Sequence, residues 1–212
     1  MLNGKLKLFN LLILAPLFSL LTACGGVPLL ESARLKQPYT TSPDDYNYLI
    51  GPGDNLQVFV WRNPEVSSSV VVRPDGKITT PLVEDLNASN ITPAQLARNI
   101  EKVLATYIKD PIVTVTVQDF SGPLSEQVRV VGEATTPSVL SYRQHMTLLD
   151  VMIAVGGLTD FADGNDARIV RVVDGQAREF RVRLDDLIRG GDITANAELL
   201  PGDILIIPEA WF

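Results

Sequence analysis

YLIGPGDNLQVFVW, residues 48–61, places a Pro-Gly turn ahead of a run dominated by apolar, β-branched and aromatic residues. Pro52 fixes φ at the first central position of a turn and Gly53 tolerates the positive φ of the second, so Gly51, Pro52, Gly53 and Asp54 read as one reversal. Leu56, Val58 and Val60 then alternate with Gln57, Phe59 and Trp61, the period of a half-buried strand, predicted over 55–61. The device returns near the other end of the chain. LLPGDILIIP, residues 199–208, sets Pro201, Gly202 and Asp203 before a second apolar strand. Two copies of a common turn are weak grounds for duplication, and they point instead to two small α+β units with mostly antiparallel strands.

Working outward, SVVVR (69–73) predicts a second strand that enters a turn at Pro74, Asp75 and Gly76 and resumes at Lys77 to Thr80. A helix follows with a marked start: Thr92 as N-cap, Pro93 at the first helical position and Gln95 completing a capping box. Leu96, Ile100, Val103, Leu104 and Tyr107 recur at helical spacing as its buried face, and Asp110-Pro111 stops it. IVTVTVQ (112–118) is the next strand. Ser, Gly and Pro around 121–125 mark a domain boundary. Beyond it come strands at 127–132 and 139–141 and a short helix in 147–158. That helix opens with Thr147/Asp150 and closes at Gly156-Gly157. A hairpin spanning 168–184 turns at Asp174-Gly175.

The chain has 212 residues, 46% hydrophobic and 20% charged, which is ordinary globular composition with room for a core. Lys5 and Lys7, an apolar run from Leu8 to Leu21, and Thr22-Ala23 make residues 1–23 a secretory signal. Its apolar run of about 14 residues is short of the roughly 20 that a helical membrane span needs. Removing those residues takes away two of 18 basic residues and no acids, so 16 minus 25 leaves a net charge of −9. Such a chain is a poor nucleic-acid binder.

Cys24 is the single cysteine, and no internal disulfide is available. Leu21, Thr22, Ala23 and Cys24 resemble the bacterial lipobox, which implies lipidation of Cys24 after cleavage. Gly25 stands where inner-membrane lipoproteins carry Asp, so the resemblance directs the protein to the outer membrane. Residues 24–45, rich in Pro, Ser and Thr, are predicted to be a tether.

No catalytic, metal or cofactor constellation is legible. His145 is the only histidine and has no motif partner. Asp44-Asp45 and Asp185-Asp186 are adjacent pairs and not opposed acids, and Gly156-Gly157 lacks the Lys and Ser/Thr of a phosphate loop. On the last hairpin, Phe180, Val182 and Leu184 are predicted to face one way and Glu179, Arg181 and Arg183 the other, joined by Arg168 and Arg171 from the partner strand. Such a stripe is ordinarily solvated, and its alternative reading is a contact to an acidic polymer or a neighbouring subunit.

YLIGPGDNLQVFVW, VRPDGKITTPL, the helix opened by TPAQL, and YIKDPIVTVTV together resemble the export domain of Wza-type outer-membrane polysaccharide export lipoproteins. VRVVGEATTPSVLSYRQHMTLLDVMIAVGGLTDFA with LLPGDILIIP is similar to the β-grasp-like SLBB module found beside it. The resemblance implies an export domain over 46–120 and an SLBB domain over 125–208, with 209–212 as a tip. It implies passive conduction of capsule or exopolysaccharide and not catalysis, and side-by-side assembly into a homo-oligomeric ring, often of eight. It also implies an inner-membrane polysaccharide co-polymerase as partner and a body in the periplasm. Longer relatives carry a C-terminal amphipathic helix, whereas this sequence reads PEAWF after its final strand. The expectation is a collar completed by a separate outer-membrane β-barrel, with Trp211 and Phe212 as docking tip or as capping of the last strand. The rival reading is a monomeric periplasmic lipoprotein that binds a soluble glycan through its SLBB domain.

Overall fold

The alternation that opens the sequence is realised in β1 (Asn55–Val60), where Leu56, Val58 and Val60 are buried and the intervening side chains face outward. The computed structural model describes residues 35–211, so Cys24, the signal, the first part of the tether and Phe212 lie outside the described residues. β1 is the middle strand of a three-stranded antiparallel sheet, with β2 (Ser68–Val71) on one side. Strand β5 (Val113–Asp119) lies on the other, and the register sets Val58 against Val115.

Between those strands, β3 (Lys77–Thr80) and β4 (Val83–Asn87) form a separate two-stranded ribbon. The Pro74-Asp75-Gly76 turn therefore passes from one sheet to another and does not close a hairpin of its own. The real hairpin turns at Pro81-Leu82, with Leu82 at φ 65°. VEDLN offers only Val83 and Leu86 as apolar residues, so β4 leaves no alternation to read.

Helix α1 (Pro93–Leu104) starts as the sequence requires. Thr92 Oγ1 accepts the Gln95 N–H at 3.2 Å, and Gln95 Oε1 accepts the Thr92 N–H at 2.9 Å. Leu96, Ala97, Ile100 and Leu104 pack into the first core. The helix ends one turn earlier than its apolar spacing suggests. Ala105 is the cap residue, and Tyr107, expected on the buried face, is 63% exposed.

The second half is a five-stranded mixed sheet in the order β7-β6-β10-β8-β9. Its strands are β6 (Gln127–Gly132), β7 (Val139–Ser141), β8 (Arg168–Val173), β9 (Gln176–Arg181) and β10 (Ile204–Ile207). β10 inserts between β6, to which it runs parallel, and β8, to which it runs antiparallel. Helix α2 (Leu148–Ala154) buries Leu148, Val151 and Met152 beneath this sheet, and its Thr147/Asp150 capping box is formed. Thr147 hydrogen bonds hold the Asp150 carboxyl below the usual carboxylate range.

Helix α3 (Leu184–Ile188) replaces the end of the expected last strand. Leu184 fits a strand alternation with Val182 and equally an i,i+3 pair with Leu187. Asp185 and Asp186 in the first turn favour a helix start at that point, and both leucines are buried.

The last part of the expected tether belongs to the fold. The Gln37 amide donates to Val172 O at 3.3 Å and accepts the Gly175 N–H at 2.9 Å, both on the β8–β9 hairpin. Tyr39 N–H donates to Glu126 at 2.9 Å, Gln144 donates to Pro43 O at 3.0 Å, and Pro38 and Thr40 are buried. Residues 35–45 thus lie along the second half before the chain enters the first.

Candidate functional site

The two Pro-Gly-Asp turns use one geometry. Asp54 and Asp203 are both fully buried, and each folds its carboxyl back onto the N–H three residues earlier: Gly51 N–H at 2.9 Å and Leu200 N–H at 2.8 Å. Each aspartate's own N–H returns to the carbonyl of that same residue, at 3.2 Å in both turns. The remaining oxygen valences differ. Asp54 also accepts from the Tyr48 hydroxyl at 2.6 Å and from the Ser121 and Gly122 N–H groups at 2.8 and 2.9 Å. Asp203 takes a bidentate contact from Arg171, Nε at 2.8 Å and Nη2 at 2.7 Å. Burial first, and the bond to Asp54 second, raise the Tyr48 phenol well above its ordinary value.

These turns hold the linker between the halves from both sides. A Cβ on Gly51 would stand 2.0 Å from the carbonyl carbon of Gly122, and one on Gly202 would stand 2.5 Å from Ser125 O. Residues 121–125, read as a domain boundary, are a clamped joint. The sequence marked the turns through Pro and Gly but gave no sign that both aspartates are interior.

A groove of about 1060 Å³ opens at this joint and is walled by both halves. Tyr46 meets Tyr142 edge-on at 4.9 Å between ring centroids, and Tyr48 meets Phe120 in the same way at 5.3 Å. Gln118, Asp119, Arg143, Gln144, Val139 and Ile153 complete much of its rim. Burial, with a contribution from the charge of Glu126, pushes the Tyr46 phenol up to about 12. His145 stands at the edge with φ 60° and its Nδ1 2.9 Å from Glu198, exposed. Among the described residues no group of three His, Cys, Asp or Glu side chains is placed to hold a metal ion.

The four arginines do not share one face. Arg168 lies opposite Arg181 across the hairpin, but Arg171, three residues on, falls on the other side, where its guanidinium sits 5.8 Å from the Phe180 ring centroid. Arg183 lies past the end of β9 as the cap residue of α3. All four are engaged by acids. Arg168 meets Asp166 and Glu179 at 3.1 and 3.4 Å, and Arg181 meets Asp166 at 3.6 Å. Arg183 meets Asp186 and Asp192 at 2.8 and 3.3 Å, and Arg171 meets Asp203. The expected basic stripe is therefore a set of local ion pairs, because the three-residue spacing of 168 and 171 reverses the side.

The other motif residues are turn elements. Gly76 N–H closes the Pro74-Asp75 turn on Arg73 O at 2.8 Å, and Asp75 pairs with Arg73 at 2.6 Å. Gly156 and Gly157, at φ 77° and 86°, end α2, with Gly157 N–H on Met152 O at 2.8 Å. Trp211 is fully exposed, and just before it Ala210 N–H donates to Phe161 O at 2.7 Å.

Residues 42–118 match the polysaccharide biosynthesis/export protein family, and residues 127–180 match the SLBB domain. Over residues 42–118 the chain is similar to polysaccharide biosynthesis/export proteins, and an SLBB-type segment follows. The two matches fall on the two cores and leave the clamped joint between them. Two curated relatives are both named EPS I polysaccharide export outer membrane protein EpsA. The one from Ralstonia nicotianae is 28% identical over 186 residues, 76% of this chain and 47% of its own length. The one from Ralstonia solanacearum is 28% identical over 182 residues, 74% of this chain and 47% of its own length. This chain thus spans about half the length of the curated relatives it matches. Its fold is α+β, an export domain followed by an SLBB domain, as the motifs implied.

Proposed function

We propose that this protein is a lipoprotein of a capsule or exopolysaccharide export apparatus, anchored to the outer membrane through Cys24 with its body in the periplasm. Copies associate side by side into a ring or collar through which polysaccharide passes, supplied by an inner-membrane polysaccharide co-polymerase. The protein does no bond chemistry, and its clamped β-rich halves serve as a stiff wall element. The observation that carries this reading is the ordered pair of family matches on two adjoining cores, together with the export function named for both relatives. No described helix is long and apolar enough to cross a membrane, which fits attachment through a lipid at Cys24.

Deleting the gene and fractionating cell-surface and periplasmic polysaccharide tests the function. Loss of surface polymer with periplasmic retention is expected, and unchanged surface polymer refutes it. Radiolabelled palmitate should enter the wild-type chain and not the Cys24→Ser variant. Light scattering of the detergent-solubilised full chain should report a closed oligomer, and a monomer at all concentrations refutes the ring in favour of a single-chain glycan binder.

A further inference from the structure

The groove at the joint is built from two kinds of surface, exposed apolar faces and planar polar groups. Phe120, Val139 and Ile153 present apolar faces 58%, 57% and 72% exposed, beside the rings of Tyr46, Tyr48 and Tyr142. Around them stand planar polar groups. The Gln118 amide and the Arg143 guanidinium have no hydrogen-bond partner among the described residues, and Gln144 uses its amide nitrogen on Pro43 O. A pyranose ring has the matching chemistry, an apolar C–H face and a rim of hydroxyls that both donate and accept. The volume is at the upper end of small-molecule sites, and the groove is partly open to solvent.

Charge narrows the class of sugar. Asp119 and Asp150 line the groove against the single Arg143 cation, and Asp44 and Glu198 flank His145 at its edge. A polyuronate meets net repulsion there. We propose that this groove binds a short run of neutral sugar residues, with Phe120 as the stacking platform and Gln118 and Arg143 as hydroxyl partners. The proposal rests on the export reading for the claim that this run belongs to the polymer in transit. Binding is weak, since a contact that held firmly would arrest a moving chain.

The test uses the full chain in a detergent without a sugar headgroup and two neutral probes, maltohexaose and cellohexaose, with hexagalacturonate as the charged comparison. Saturation-transfer NMR and titration calorimetry should detect the neutral hexamers. Phe120→Ala should weaken them about 5- to 10-fold, the loss of one aromatic stacking contact. Gln118→Ala, a change at an exposed side chain of β5, should weaken them with the thermal midpoint unmoved, so the test survives if Phe120→Ala folds poorly. Absence of binding to both neutral hexamers at about 10 mM, indifference to both substitutions, or preference for hexagalacturonate overturns the proposal. The gene deletion separates it from the export reading. Lost surface polymer with no sugar binding sinks the groove alone, whereas groove-dependent sugar binding with surface polymer unchanged sinks export and leaves a sugar site.

Discussion

Replacing Asp54 by Ala should loosen the joint and destabilise the whole protein. The carboxylate serves four donors: the Tyr48 hydroxyl and the N–H groups of Gly51, Ser121 and Gly122. Tyr48 and Ser121 are only partly buried and turn to water, but Gly51 and Gly122 are buried and do not. Two orphaned buried donors at about 1–3 kcal/mol each give a loss of about 2–6 kcal/mol. That is a large part of the roughly 5–15 kcal/mol available to a typical protein. With a urea m-value of about 2 kcal/mol per molar, the midpoint of the full chain, followed by circular dichroism, should fall by about 1–3 M. Amide exchange should quicken at Ser121 and Gly122, which ordinary loss of core packing does not single out. A loss below about 1 kcal/mol with exchange at those two amides unchanged would refute the reasoning, because it would mean that the buried carboxylate does not hold the joint.

Arg171→Ala leaves the fully buried Asp203 without its bidentate partner and should cost about 3–5 kcal/mol in urea denaturation, whereas Arg183→Ala breaks only exposed pairs and should cost less than about 1 kcal/mol. Gly132→Ala, whose Cβ would meet Ile207 O at 1.9 Å with φ at 92°, should disrupt the parallel β6–β10 pairing and yield little folded protein. Gly157→Ala, at φ 86° with nothing within 4 Å, should cost only about 1–2 kcal/mol of backbone strain and serves as its control. Glu126 is buried, with Oε2 unpartnered among the described residues, and burial raises its carboxyl above the usual range against the opposing Tyr39 N–H. The folded state therefore keeps this proton to higher pH than the unfolded chain does, so the associated stability is complete at acid pH and is lost as pH rises through the folded value. Glu126→Gln should be more stable than wild type in urea at pH 7.5, with the difference shrinking as pH falls toward the ordinary carboxylate range.

The elements that announced themselves did so through local rules. Thr92 with Gln95 and Thr147 with Asp150 are caps whose partners lie three residues away, and the Leu56, Val58, Val60 alternation reports one-sided burial directly. What escaped depends on contacts distant in sequence. Asp54 reads as a turn residue until Ser121 and Gly122 arrive 67 and 68 residues later. Gln37 looks like part of a polar tether because its partners at Val172 and Gly175 lie more than 130 residues away. Strand β4 was hidden for a different reason, since a five-residue strand with one buried valine carries almost no periodic signal. The groove at the joint combines side chains from both halves, and neither half alone shows the set.

The course of residues 35–45 means that neither half is a detachable cassette. The chain dresses the SLBB surface before it builds the export core, so a fragment cut at residue 46 or at residue 125 strips from the second half a cover that comes from the far side of the first. Any pull arriving from the N-terminal end likewise meets Gln37 and Tyr39 first and is borne by the SLBB body, so the export sheet stays unloaded until that cover has torn away.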